Sequence, residues 1–240
     1  MKLNQSGLGG ISSAGRAPAL QAGCQEFESP ILHSILFSSA VERLTVNQLV
    51  PGSIPGRGVM QILDNFLEPY YFDYLHDCVT NQGFTWKYQS NVSVYREGDS
   101  DWLHGFTHGL YDPACGLNFN NTESSIWIPF ILKIEQDFVK KKGSLIRSRL
   151  DMTVKSPPNT LHTPHQDLKD PHWTTIFYLT DSDGETVIYN ETERSDSYTI
   201  MEKITPKKNR IVFFDGAHFH TGHSPCKTNR RILMNSNFIK

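Results

Sequence analysis

The sequence predicts a mainly β protein, a sandwich or barrel with helices ahead of it. Three observations carry this. After Gly143, strand-like runs follow one another at Ser144–Val154, Trp173–Thr180, Glu185–Tyr189, Tyr198–Ile204, Arg210–Phe214 and Arg231–Phe238. Turn clusters separate them, among them Ser156-Pro157-Pro158-Asn159, Asp181-Ser182-Asp183-Gly184 and Pro206-Lys207-Lys208-Asn209. No stretch of helical spacing lies between the runs, as a parallel α/β sheet would require.

Residues 1–59 are rich in Ser, Gly, Ala and Pro and hold no sustained period, which reads as a disordered leader or a non-native extension. Pro51-Gly52-Ser53-Ile54-Pro55-Gly56 can be encoded by bases containing GGTTCGATTCC, which resembles the T-arm of a transfer-RNA gene. On that reading translation begins at Met60, where a domain spanning 60–240 starts. Its first part, 60–143, is helical in character. Met60-Gln61-Ile62-Leu63 is a short strand candidate, and Asp64-Asn65 and Glu68-Pro69 offer helix-start chemistry. Phe66, Leu67, Tyr70, Tyr71, Tyr74, Leu75 and Cys78 then recur at helical spacing until Asn81-Gln82-Gly83. Residues 84–122 mix aromatics with Gly, Asp and Asn and read as short strands and loops, or a lid. A second amphipathic helix is expected within Ser124–Lys142, presenting Trp127, Phe130, Ile131, Ile134 and Phe138 on one face and stopping at Gly143. Pro129 fits only its first turn, so it starts a few residues after Ser124. The barrel core is 144–240, with Trp173, Phe177, Phe213 and Phe214 as core residues.

Composition narrows the function classes. A net charge of −2, with no Lys/Arg run beyond Lys140-Lys141-Lys142 at a helix end, gives no nucleic-acid footprint. No segment has the length and apolarity of a membrane span. Cys24, Cys78, Cys115 and Cys226 are scattered without a CxxC pair, which speaks against a disulfide framework or structural zinc and fits a reducing cytoplasm. Oligomeric state is not legible.

The chemistry gathers in two places. Residues two apart in an extended chain point to one side, so His165 and Asp167 can offer an imidazole and a carboxylate to one ion. Roughly fifty residues later, Phe214–His223 holds His218, His220 and His223 at the end of a strand-like run. Two histidines and one carboxylate on one face of an octahedron leave positions open, the arrangement of non-haem Fe(II) oxygenases. About ten residues further on, Arg230-Arg231 opens an apolar strand. A guanidinium facing inward there needs an anion, and can grip a carboxylate through two hydrogen bonds.

Taken together, His162–Asp167, Trp173–Asn190, Thr205–Pro225 and Arg230–Phe238 resemble the 2-oxoglutarate/Fe(II) oxygenase superfamily, in the branch similar to prolyl 4-hydroxylases. The resemblance implies a double-stranded β-helix, or jelly-roll barrel, with Fe(II) held by His165, Asp167 and His220. It implies 2-oxoglutarate and O₂ as co-substrates, with the far carboxylate of 2-oxoglutarate on Arg231 and succinate and CO₂ as products. A peptidyl side chain such as proline, or a small molecule, would be hydroxylated.

Some assignments depend on geometry. His218 and His220 share a face if their segment is extended, and spacing to the arginines favours His220. His162 has no carboxylate two residues on and reads as a loop or supporting residue, while His172 reads as surface. Arg230 and Arg231 face opposite ways on a strand, and Arg231 best matches the family's strand opening. Tyr178 and Arg149 are candidates for co-substrate contact, equally readable as packing or surface charge. The competing classes are a cupin-type metal enzyme without 2-oxoglutarate and a non-catalytic metal-binding barrel.

Overall fold

The computed structural model describes residues 60–92, 101–158 and 160–240. The readings of residues 1–59 lie outside them. In chain order the elements are β1 (Gln61–Leu63), α1 (Pro69–Thr80), β2 (Lys87–Gln89), β3 (Gly105–Asp112), β4 (Leu117–Asn118), α2 (Thr122–Ser125) and α3 (Ile128–Ile134). There follow β5 (Leu145–Val154), β6 (His172–Tyr178), β7 (Thr186–Tyr189), β8 (Ile200–Ile204), β9 (Arg210–Asp215), β10 (His220–Gly222) and β11 (Arg230–Ile239). Two antiparallel sheets result. The larger runs β1-β9-β6-β11-β5-β3-β2, with β4 added on β3, and the smaller runs β10-β7-β8.

Period-two alternation in the large sheet sorts the side chains into two cores. On one face Leu150, Phe177, Ile211, Ile232, Met234 and Phe238 meet Leu75 and Val79 of α1 and Phe130, Ile131 and Ile134 of α3. On the other, Ile176, Tyr178, Val212, Phe214 and Leu233 meet Ile188 and Ile204 of the small sheet. Burying each large apolar side chain contributes about 1.5–3 kcal/mol, so a one-residue register slip in β11 would reverse both faces at once. The parity of β11 puts Arg231, Leu233, Asn235 and Asn237 on the face toward the small sheet, because Ile232, Met234 and Phe238 belong to the helical side.

The expected strands are present with ends shifted by a residue or two. The helices differ more. α1 begins at Pro69, later than the spacing of Phe66 and Leu67 predicts. The backbone of those two residues is taken: Leu67 donates to Asn209 Oδ1 and its carbonyl accepts from Asn209 Nδ2, both at 2.8 Å, and Phe66 N–H bonds Asn209 O. Asn209 itself sits at φ 60°, a conformation asparagine tolerates. The second amphipathic stretch is broken into α2, α3 and a π-helical turn at Glu135–Val139, with Pro129 in the first turn of α3. The chain leaves that turn through Lys140 in the left-handed region, ahead of Gly143.

Within 84–122, β3 is an interior strand between β5 and β2. Its Gly105 and Gly109 hid the alternation, and Gly105 is needed: a Cβ there would stand 2.6 Å from Met152 O of the neighbouring strand. His172 is buried at 1% exposure, contrary to the surface reading. It opens β6 on the inner face, with its ring against Gly216 and its Nδ1 2.7 Å from Asp170 O. No described helix is long and apolar enough to cross a membrane.

Candidate metal centre

His165 and His220 are brought together by backbone register. They form an isolated antiparallel bridge in which each N–H donates to the other's carbonyl at 2.9 Å. Directly opposed residues send their side chains to the same side, and the two ring centroids stand 4.9 Å apart. Each Nδ1 faces the carbonyl two residues earlier, Thr163 O for His165 and His218 O for His220, at 3.2 Å. A proton on each Nδ1 leaves the Nε2 lone pairs directed into the site. His220 Nε2 is buried and without a hydrogen-bond partner.

Asp167 follows His165 by two residues and its side chain is 1% exposed. Its Oδ2 accepts from Asn237 Nδ2 at 2.9 Å and Asn235 Nδ2 at 3.1 Å. Arg147 Nη2 stands 3.4 Å from Oδ1. His220 Nε2 lies 3.6 Å from Oδ2. One ligand atom from each of His165, Asp167 and His220 lies within 4.8 Å of the others, close enough to share one ion. Burial, reinforced by His220 beside it, brings His165 down to about 4 and keeps it neutral at pH 7, the state a metal ligand needs. Burial raises the Asp167 carboxyl, but its neighbours His220 and Arg149 outweigh this and hold the group well below the usual carboxylate range.

Along the same face lies Arg231, 5% exposed. Its Nη2 donates to Thr186 Oγ1 at 2.6 Å, and the Tyr178 hydroxyl donates to the same oxygen at 2.7 Å. Arg231 Nε is buried with no partner, and among the described residues the side chain forms no ion pair. Gly222, opposite Thr186 in the β10–β7 pairing, supplies the floor beneath it. A Cβ at Gly222 would stand 2.8 and 2.9 Å from the two Nη atoms. His165, His220, Arg149, Thr186, Gly222 and Arg231 line one cavity. A buried cation with an unused donor, sharing a cavity with two imidazoles that have a carboxylate beside them, suits a divalent metal with an anionic chelator.

Residues 153–239, which include all four of these site residues, match the family model of the 2OG-Fe(II) oxygenase superfamily. That match assigns residues 153–239 to the superfamily. The superfamily's members use Fe(II), 2-oxoglutarate and O₂, and the fold of this chain is their double-stranded β-helix. A 2OG-Fe(II) oxygenase family oxidoreductase from Burkholderia pseudomallei is 13% identical, covers 75% of this chain and 84% of its own, and superposes with a TM-score of 0.53. HygX from Streptomyces hygroscopicus, solved with nickel, 2-oxoglutarate and hygromycin B, is 8% identical, with 76% and 83% covered and a TM-score of 0.51. A Pseudomonas putida prolyl-4-hydroxylase is 13% identical, with 77% and 94% covered and a TM-score of 0.48. No curated protein sequence matches the chain.

The structure places differently the members of the pairs that sequence left open. His218 lies in a turn, its N–H bonded to Asp215 O and its Nδ1 3.0 Å from Tyr189 O, so it does not share the face of His220. Arg230 is exposed while Arg231 faces the cavity. His162 is buried beside the site, with Nε2 2.8 Å from Ser224 Oγ. Arg149 lines the cavity, its Nε 2.9 Å from Asp151 Oδ2. Sequence reading missed Thr186, Gly222, Arg147, Asn235 and Asn237. The two asparagines carried a usable signal: amide side chains at the parity of Arg231 in a largely apolar strand.

Proposed function

We propose that this oxygenase is a hydroxylase in which His165, Asp167 and His220 hold Fe(II) and Arg231 grips the far carboxylate of 2-oxoglutarate. Its primary substrate is a peptidyl side chain such as proline, or a small molecule. One observation carries this reading: three metal-capable side chains converge within 4.8 Å, and the two histidines among them share a cavity with a buried guanidinium that forms no ion pair among the described residues. When bound, Fe(II) with O₂ supplies the oxidising chemistry, coupled to decarboxylation of 2-oxoglutarate to succinate and CO₂.

The chain's own residues do the rest. Thr163 O and His218 O hold the Nδ1 protons and so aim both Nε2 atoms at one point. Arg231, braced by Thr186 and lying 5.6 Å from the Tyr178 ring centroid, presents its donors to a carboxylate. Ile176 and Leu233 form apolar cavity wall, which limits water around the reacting centre. Cys78, Cys115 and Cys226 are free thiols, in keeping with the reducing cytoplasm in which we place the enzyme.

Anaerobic Fe(II) titration with and without 2-oxoglutarate tests the reading, and a weak visible charge-transfer band is expected only when both are present. Arg231→Gln should abolish that band and succinate formation while leaving metal affinity within about twofold, since a carboxylate loses its charge-assisted partner. A variant that still formed succinate would refute Arg231 as the clamp, whereas a wild-type protein that binds metal and never turns over 2-oxoglutarate would favour the cupin-type alternative. Proline-containing peptides are the first substrates to screen for faster succinate release; silence across peptides and metabolites would remove the hydroxylase subtype and leave the superfamily.

A further inference from the structure

We propose that Asn237 and Arg147 are positioning residues for the metal: with Asn235 they fix the Asp167 carboxylate in its ligating orientation before any ion arrives. The proposal rests on the reading of His165, Asp167 and His220 as the metal ligands. Asp167 stands in the irregular segment between β5 and β6, so no strand backbone fixes its side chain. The fixing comes instead from the inner face of the large sheet.

Asn237 is fully buried and faces Arg147 in the β11–β5 register and Thr174 in the β11–β6 register. Its amide is used at both ends. Nδ2 donates to Asp167 Oδ2 at 2.9 Å and to Thr174 Oγ1 at 3.3 Å, while Oδ1 accepts from Arg147 Nη2 at 3.1 Å. Arg147 can only donate. Its contact therefore dictates which end of the amide is the carbonyl, and so turns the N–H end toward Asp167. Reversing the amide would set a carbonyl oxygen against the carboxylate and a donor against a donor.

Asn235 approaches the same carboxylate with Nδ2 at 3.1 Å, while its own Oδ1 is buried without a partner. That orphaned oxygen is informative. The orientation of Asn235 serves Asp167 at the expense of its own satisfaction, which a purely structural amide would avoid. Arg147 Nη2, reaching Oδ1 of Asp167 at 3.4 Å as well as Asn237, ties the two groups together.

The test is Mn(II) binding to the full chain by calorimetry, with 2-oxoglutarate affinity measured separately at saturating Mn(II). Asn237→Leu keeps the branched shape and removes the donor; Asn237 lies beyond the residues lining the cavity, so the co-substrate does not meet it. The Mn(II) Kd is expected to rise about 10- to 100-fold, with 2-oxoglutarate affinity at saturating metal within about threefold of wild type. Arg147→Lys keeps the charge but loses the rigid guanidinium plane that sets Nη2 against both Asn237 and Asp167, and Kd should rise severalfold. Because Arg147 is partly exposed, that variant stays informative even if Asn237→Leu fails to fold. Wild-type Mn(II) affinity in a folded Asn237→Leu protein, or in Arg147→Lys, would overturn the proposal. So would equal losses in metal and 2-oxoglutarate affinity, which mean general loosening. His220→Ala is the control: unchanged metal affinity there would sink the ligand assignment itself, whereas its loss beside an unaffected Asn237→Leu sinks only the positioning role.

Discussion

Gly222 offers a sharp test of the co-substrate site because its missing side chain is the space that Arg231 occupies. In Gly222→Ala the added Cβ would stand 2.8 Å from Nη1, 2.9 Å from Nη2 and 3.1 Å from Cζ of Arg231, and no other atom is nearer. Those are atoms at the end of a side chain, so the backbone can stay while the guanidinium retreats by roughly 0.7 Å to ordinary contact distance. Thr186 Oγ1, 2.6 Å from Nη2, limits where it can go. A retreat of that size breaks the alignment of a paired guanidinium–carboxylate contact. Losing one charge-assisted hydrogen bond of about 1.5–3 kcal/mol weakens 2-oxoglutarate binding about 10- to 100-fold. Calorimetric titration of the Mn(II)-loaded protein measures this directly. The melting temperature should stay within a few degrees of wild type, and Mn(II) affinity should not move. Wild-type 2-oxoglutarate affinity in a folded Gly222→Ala protein would refute the clamp.

Other outcomes are expected. His220→Ala should lose Mn(II) binding by at least about 100-fold, while His218→Ala, whose ring faces Tyr189 O, should stay within about threefold; equal losses would mean the wrong histidine has been assigned. Burial and nearby Arg231 bring His223 down to about 4 from an unfolded value near 6.5, so between those pH values only the unfolded chain takes up the proton. Stability of the metal-free protein should therefore fall as pH drops from 6.5 toward 4, by on the order of 2 kcal/mol from this group after allowing for partial solvation, with His165 acting in the same direction. Urea denaturation at pH 7 and pH 5 should show a shallower loss in His223→Gln, and an unchanged slope would exclude the group. A chain beginning at Met60 is expected to fold and to bind Mn(II) and 2-oxoglutarate as the full chain does, read by calorimetry; a molten or metal-blind product would place residues 1–59 in the working protein.

The strands of 144–240 were legible because hydrophobic alternation and turn residues are local signals. His165 and Asp167 were legible for the same reason, since spacing of two in an extended chain sets a common side. Alternation said that Arg230 and Arg231 face opposite ways; the choice of Arg231 came from its match to the family's strand opening. Other features were hidden for reasons that can be named. β3 carries two glycines where its backbone crowds β5, and they erased its pattern. Phe66 and Leu67 have the spacing of helix residues, yet their backbone is held by Asn209, 142 residues away. His172 reads as surface beside Asp170 and Pro171, and is buried because β6 begins on the inner face.

By itself, then, the sequence determined the class of the protein, its strand sequence, and the ligand types available to a metal. Only the tertiary structure showed which histidine stands beside His165 and Asp167. His165 and His220 meet through a two-residue backbone bridge that joins distant segments, and His218 is turned away by a tight turn. It also decided what surrounds the ligands: the asparagines on Asp167, and the glycine floor and threonine under Arg231. Alternation along one strand says which way a side chain points. What it meets there depends on register between strands far apart in the chain, and that is fixed only when both faces of the large sheet are packed.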